Sequence, residues 1–162
     1  MEVDVRKFED KEKMYAHMNE SLVHMLEGNR DETAALSNVS ALLNLYLEEI
    51  NWVGFYLMKN GALILGPFQG KPAVMRILPG EGVCGTTVQE GKTRVVDDVH
   101  TCTNHIACDL ASSSEIVVPL IKNGQVLGVL DIDSPIPSRF DEEDKKGLES
   151  VAQTLLNVVF IC

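Results

Sequence analysis

Residues Glu115–Asp133 read Glu-Ile-Val-Val-Pro-Leu-Ile-Lys-Asn-Gly-Gln-Val-Leu-Gly-Val-Leu-Asp-Ile-Asp. Two β-rich runs, Glu115–Lys122 and Gln125–Asp133, flank Asn123-Gly124. That dipeptide favours a tight hairpin turn because both of its positions tolerate positive φ. The pair is therefore antiparallel, and the turn brings Glu115 level with the Asp131–Asp133 end. The same texture occurs upstream, where Trp52–Met58 and Ala62–Leu65 are joined across Lys59-Asn60-Gly61. A second antiparallel hairpin is expected there.

Working outward, Met14, Met18, Leu22 and Met25 recur at helical spacing, so about Glu9–Glu27 is predicted as an amphipathic helix stopped by Gly28. Leu36, Val39, Leu43, Tyr46 and Ile50 predict a second helix, and Asn29 with Glu32 has the spacing of a capping box. The two helices are expected to form a hairpin whose apolar excess also suits a dimer. Between the strand pairs, Gly66–Ser114 is rich in Gly and Pro, with a short helix expected near Cys84–Gln89 and a short strand near Thr93–Val96. A connection that long in a compact domain is usually functional. Asp141 caps a last helix lined by Leu148, Val151, Leu155 and Val158. The order helix, helix, strands, helix indicates an α+β fold: an antiparallel sheet with helices on one face and loops on the other. One domain is expected over residues 1–162: helical hairpin 1–50, sheet and site loops 51–140, C-terminal helix 141–162.

The chain has 162 residues, 45% of them hydrophobic, which supports one real core and is short for two. Its net charge of −10 argues against nucleic-acid binding, which draws its affinity from clustered Lys and Arg. No apolar run approaches the length of about 18 residues that a membrane helix needs. The N-terminus, Met-Glu-Val-Asp-Val-Arg-Lys, is charged where an export signal is greasy. A cytosolic location is the expectation, with reduced rather than disulfide-bonded thiols.

Alternation places Trp52, Gly54 and Tyr56 on one strand face, and Gly54 between two aromatics leaves a gap suited to a ligand. The competing reading is ordinary aromatic core. Asp131 and Asp133 share a face in an otherwise apolar strand, and Glu115 joins them across the hairpin. Buried carboxylates are costly unless a cation or hydrogen-bond donors meet them, so solvated strand ends are the plainer alternative. Taken as a site, the acids suit an ammonium group, and a protonated member can donate to an oxygen. Trp52 and Tyr56 beside them suit a methyl or thioether. The combination describes a pocket for a small zwitterion with a soft tail.

Two cysteines stand in distinctive settings: Cys84 in Gly-Glu-Gly-Val-Cys-Gly-Thr and Cys108 in His-Ile-Ala-Cys-Asp. Thiols can attack an electrophilic sulfur, become sulfenic acids and be resolved by a second thiol. Cys162 reads instead as a small apolar residue ending a helix. Acids near Cys108, Asp109 among them, oppose thiolate formation; His105, a bound ammonium or a helix N-terminus would have to offset them. Cys102, His105 and Cys108, with Cys84 upstream, could be read as zinc ligands, but their spacing matches no zinc motif. No metal and no cofactor are expected.

With these residues in place, the chain resembles the free methionine-(R)-sulfoxide reductases, enzymes of the GAF fold, over about Asn51–Phe160. The motifs that carry the resemblance are Asn-Trp-Val-Gly-Phe-Tyr, Gly-Pro-Phe-Gln-Gly-Lys, Gly-Val-Cys-Gly-Thr, Asp-Val-His, His-Ile-Ala-Cys-Asp, Ser-Glu-Ile-Val-Val-Pro-Leu and Gly-Val-Leu-Asp-Ile-Asp-Ser. The resemblance implies a central six-stranded antiparallel sheet, frequent homodimers, and reduction of free methionine sulfoxide with thioredoxin as donor. It further implies that Cys108 is the catalytic thiol and Cys84 a recycling one. Trp52 and Tyr56 would hold the methyl and side chain; Glu115, Asp131 and Asp133 would bind the amino group and polarise the sulfoxide oxygen. The chain departs from the family at Val74, where many members carry a third cysteine that pairs with the catalytic one. Resolution then falls to Cys84, to Cys102 or to an external thiol, with Cys84 preferred because its setting matches. The alternatives are a GAF sensor that binds a small ligand without turnover and a stand-alone redox sensor.

Overall fold

The computed structural model describes residues 7–101 and 112–160. Helix α1 (Lys11–Leu26) is capped by the Asp10 carboxylate, which accepts from the Lys13 N–H at 2.8 Å. It buries Tyr15, Met18, Leu22 and Leu26. Helix α2 (Glu32–Tyr46) starts two residues later than the Asn29–Glu32 spacing suggested. Its N-cap is Asp31, whose carboxylate accepts from Ala34 N–H at 2.8 Å, while Asn29 Oδ1 accepts from the N–H of Asp31. A carboxylate there satisfies an orphan donor and also meets the positive end of the helix dipole. Ile50 lies beyond the helix end but packs against the same core.

Strands β1 (Trp52–Lys59) and β2 (Ala62–Gly70) form the first hairpin, and β5 (Ser114–Lys122) and β6 (Gln125–Ser134) the second. Asn60-Gly61 and Asn123-Gly124 all have positive φ, as a hairpin turn of the primed type requires. Short strands β3 (Arg76–Ile77) and β4 (Arg94–Val96) close the two edges, giving the antiparallel order β3-β2-β1-β6-β5-β4. The connection between the hairpins also carries helix α3 (Gly82–Glu90) and a 3₁₀ turn at Val99–Thr101. β2 runs well past the expected Leu65. A bulge accommodates its Gly66-Pro67, two residues facing Phe55 alone between the pairs Gly54↔Phe68 and Tyr56↔Leu65.

One sheet face, including Val53, Phe55, Ile116, Val118, Leu130 and Ile132, packs under α1, α2 and the C-terminal helix α4 (Glu142–Val158). Asp141 caps α4 in a reciprocal capping box with Asp144. The other face carries Trp52, Tyr56, Leu63, Val117 and Val129 under α3, with Val83 and Cys84 reaching the same cluster. The three long helices thus share one face, as expected, and the short helix expected near Cys84–Gln89 lies on the other as α3. That short helix covers the site face, where the acids begin.

Candidate active site

Strand register assembles the site. Trp52 pairs with Asp133, and Asp133 with Glu115 on its other side; Asp131 lies between Gly54 and Val117. Side chains two apart point the same way, so Trp52, Tyr56, Glu115, Asp131 and Asp133 all face α3. All five are buried, the acids at 4–7% exposure. Cys84, in the first turn of α3, completes the group. Its sulfur and one carboxylate oxygen each of Glu115 and Asp131 lie within 4.8 Å of one another.

The aromatic wall is held at its polar tips. Trp52 Nε1–H donates to the Lys71 carbonyl at 3.1 Å, and the Tyr56 hydroxyl to the Val74 carbonyl at 2.9 Å. The two rings stand 6.0 Å apart, and Phe68 stacks on Trp52 at 5.2 Å. Phe68 is the wall residue that sequence reasoning missed. It also corrects the reading of Gly54, whose gap is filled by Phe68 and the Pro67 carbonyl of β2. A Cβ at Gly54 would lie 2.3 Å from the Phe68 Cβ, so the missing side chain makes room for the neighbouring strand.

The electrostatics are those of acids forced together out of water. Burial pushes Asp131 and Glu115 well above the usual carboxylate range; the charge of Glu115 adds to this for Asp131, and that of Asp133 for Glu115. Burial likewise pushes the Cys84 thiol up, helped by the negative field of Asp131, Glu115 and Asp133. Burial and mutual repulsion therefore favour the protonated forms of Glu115 and Asp131 and the thiol form of Cys84. Asp131 Oδ1 and Asn51 Oδ1 are buried with no hydrogen-bond partner among the described residues. Such orphaned acceptors cost about 1–3 kcal/mol each, which marks a place where a donor is wanted.

Cys108, Cys102 and His105 lie outside the described residues. The two ends of the segment that carries them are described. Val99 N–H donates to the Ser113 carbonyl at 2.8 Å, and Asn51 Nδ2 donates to Ser112 Oγ at 3.2 Å. Asn51 immediately precedes Trp52, and its N–H donates to the Asp133 carbonyl. Both ends of the segment are thus tied to the acid rim. A separate cleft of about 430 Å³, bordered by Lys92, Ile121, Lys145 and Gln153, has none of these convergent buried groups. The acid rim is therefore the candidate site.

A six-stranded antiparallel sheet with a covered cluster of buried acids on one face defines a class, and the GAF domain family matches residues 23–158. Within that class the resemblance is closer still. The chain is 47% identical over 150 residues to the free methionine-R-sulfoxide reductase of Escherichia coli, covering 93% of this chain and 91% of that one. Two solved structures superpose on it. The fRMsr of Staphylococcus aureus in complex with substrate gives a TM-score of 0.87 at 47% identity, covering 96% of this chain and 99% of that one. The free methionine-R-sulfoxide reductase of Neisseria meningitidis in complex with its substrate gives 0.91 at 38% identity, covering 96% and 95%. The chain belongs to the free methionine-R-sulfoxide reductase family of GAF-domain proteins.

Proposed function

We propose that the protein reduces free L-methionine-(R)-S-oxide to L-methionine. The observation that carries the reading is the convergence of three buried acids with a stacked aromatic wall, at the rim where the Cys108-bearing segment is tethered. An ionised acid meets the substrate ammonium, and Trp52 and Tyr56 pack against its methyl and side chain. The Cys108 thiolate attacks the sulfoxide sulfur. A proton held by Glu115 or Asp131 goes to the sulfoxide oxygen, the S–O bond breaks, and the hydroxyl passes to Cys108. Methionine leaves reduced, and Cys108 is left oxidised as a sulfenic acid. The Cys84 thiol then attacks that sulfur, releasing water and forming a disulfide, which the dithiol of thioredoxin reduces.

Cys84 is the preferred resolving thiol because it already sits against the acids, with Cys102 as the alternative. Its raised proton affinity means that it must yield its proton to the departing hydroxyl as the disulfide forms. The same reading sets the enzyme in the reducing cytosol as a single domain and a homodimer, with no nucleic-acid or membrane partner. Among the described residues, no helix is long and apolar enough to cross a membrane.

The test is stereochemical. Given racemic free methionine sulfoxide and reduced thioredoxin, the R epimer alone is consumed, with one methionine formed per sulfoxide lost. A Cys108→Ser variant leaves both epimers untouched, and Asp131→Asn raises KM at least tenfold, or about 1.4 kcal/mol of lost binding. Substrate binding without methionine release would instead identify a sensor. Trapping a Cys84–Cys108 disulfide after one turnover supports the assigned resolution; full recycling in Cys84→Ser refutes it.

A further inference from the structure

We propose that Cys84, Glu115 and Asp131 form a binding site for a thiophilic divalent cation of the zinc type, available only while Cys84 is reduced. The three ligand atoms come from α3, β5 and β6 and lie within 4.8 Å of one another. A tetrahedral zinc site, with its bonds of about 2.0–2.3 Å, holds ligand atoms roughly 3.3–3.8 Å apart, so a side-chain closure of about 1 Å suffices. A second, independent feature points to the same occupant. Asp131 is 6% exposed, and although its carboxyl shares hydrogen bonds with Glu115 and Cys84, its Oδ1 has no partner among the described residues, so one buried acceptor is left for a cation to satisfy.

The ligand set selects the metal. Magnesium and calcium prefer all-oxygen shells, whereas a thiolate favours zinc and its softer relatives. Three protein ligands leave a fourth position for water, as in exchangeable rather than closed structural sites. On binding, the Cys84 thiol gives up its proton, together with any held by the two carboxyls, and three anionic ligands surround a charge of +2. Attack of the Cys84 thiol on the sulfenic acid proposed for Cys108 releases water and forms a disulfide, which removes the sulfur ligand and ejects the ion. The expectation that the chain holds no metal weighed Cys84 only with Cys102, His105 and Cys108; Cys84, Glu115 and Asp131 are far apart in sequence, and only the packing of α3 on the sheet brings them together.

The inference goes beyond the reductase reading and does not need it, because the ligands are defined by geometry alone. Two consequences lean on that reading: the Cys108 sulfenic acid that oxidises Cys84 ejects the ion, and a bound ion occupies the acids that would receive the substrate ammonium, so metal and amino acid compete.

Cobalt(II) serves as the probe, added to the reduced full-length protein. The expected result is one equivalent bound, with near-ultraviolet sulfur-to-cobalt charge-transfer absorption that added zinc bleaches. Cys84→Ser abolishes the band, Cys108→Ser and Cys102→Ser retain it, and Asp131→Asn weakens cobalt binding at least tenfold. Absence of the band in the wild-type protein, its survival in Cys84→Ser, or unchanged affinity in Asp131→Asn overturns the proposal. Should Cys84→Ser fail to fold by circular dichroism, Asp131→Asn, whose thiol is intact, decides the matter. None of these readouts involves turnover, so failure here and failure of the reductase assignment are separate results.

Discussion

Gly54→Ala is a one-carbon perturbation with a consequence that can be worked from the structure. The added Cβ would lie 2.3 Å from the Phe68 Cβ, 2.8 Å from its Cα and 2.9 Å from the Pro67 carbonyl oxygen. Non-bonded carbons settle at about 3.5–4.0 Å, so β1 and β2 must part by roughly 1 Å at this point. The neighbours include backbone atoms, which cannot swing aside as a long side chain does. Retreat in the other direction is blocked, because Gly54 is also paired with Asp131 of β6. Overpacking of this kind costs about 1–3 kcal/mol. A loss of 2 kcal/mol in a chain of this size lowers Tm by about 4–8 °C. The strain falls on the strand that carries Phe68, so its stack on Trp52 opens and the aromatic wall loosens. Thermal unfolding together with steady-state kinetics on free methionine sulfoxide tests both parts. The expected outcome is a lower Tm and a raised KM with a smaller change in kcat. An alanine variant with wild-type Tm would refute the packing argument, and a lower Tm with wild-type KM would refute the placement of the wall in the binding site.

Asp144 is wholly buried and accepts from Tyr15 Oη, Lys11 Nζ and Arg139 Nη1 at 2.8, 2.6 and 3.3 Å; Asp144→Ala strands these partners and is expected to lower the unfolding free energy by about 3–5 kcal/mol in a urea titration. Asp141 is pushed up by its slight burial, but bonds from Lys11 and the Asp144 N–H, with the Lys11 charge, outweigh this and leave it below the usual carboxylate range. Its contribution is therefore complete above the unfolded-state pKa of about 3.9 and is lost as pH falls through the lower folded-state value, so wild type and Asp141→Asn should differ in stability at neutral pH and converge in strong acid. Val74→Cys in a Cys84→Ser background supplies a thiol at the position where many relatives carry one; steady-state turnover with thioredoxin is expected to rise above that of Cys84→Ser alone, and no gain would remove position 74 from the recycling route.

The legible parts of this fold are those governed by one period and one turn. Asn123-Gly124 set the second hairpin, and with it the opposition of Glu115 to Asp133, since no other register suits that turn. Trp52 and Tyr56 followed by alternation alone. Phe68 did not, and the reason is a single extra residue. Strict alternation from Leu63 and Leu65 would turn Pro67 toward the site; the bulge opposite Phe55 shifts the phase by one and turns Phe68 there instead. Gly66-Pro67 reads as a strand breaker, yet proline is admitted at bulges and open edges, and β3 pairs only with Leu63 and Ile64, leaving that edge uncovered at Pro67. Cys84 was singled out by its setting, but its place against the acids depends on α3 folding onto the sheet, a tertiary event with no periodic signature. The outcome reverses the usual logic of a reactive cysteine. The burial that favours the protonated forms of Glu115 and Asp131 also favours the protonated Cys84 thiol. A thiol so placed is a poor first nucleophile, and it becomes useful only when an oxidised sulfur arrives beside it with a hydroxyl to take its proton. Under the proposed function, the acids that would arm the substrate oxygen thus suit Cys84 to the second step of the cycle rather than the first.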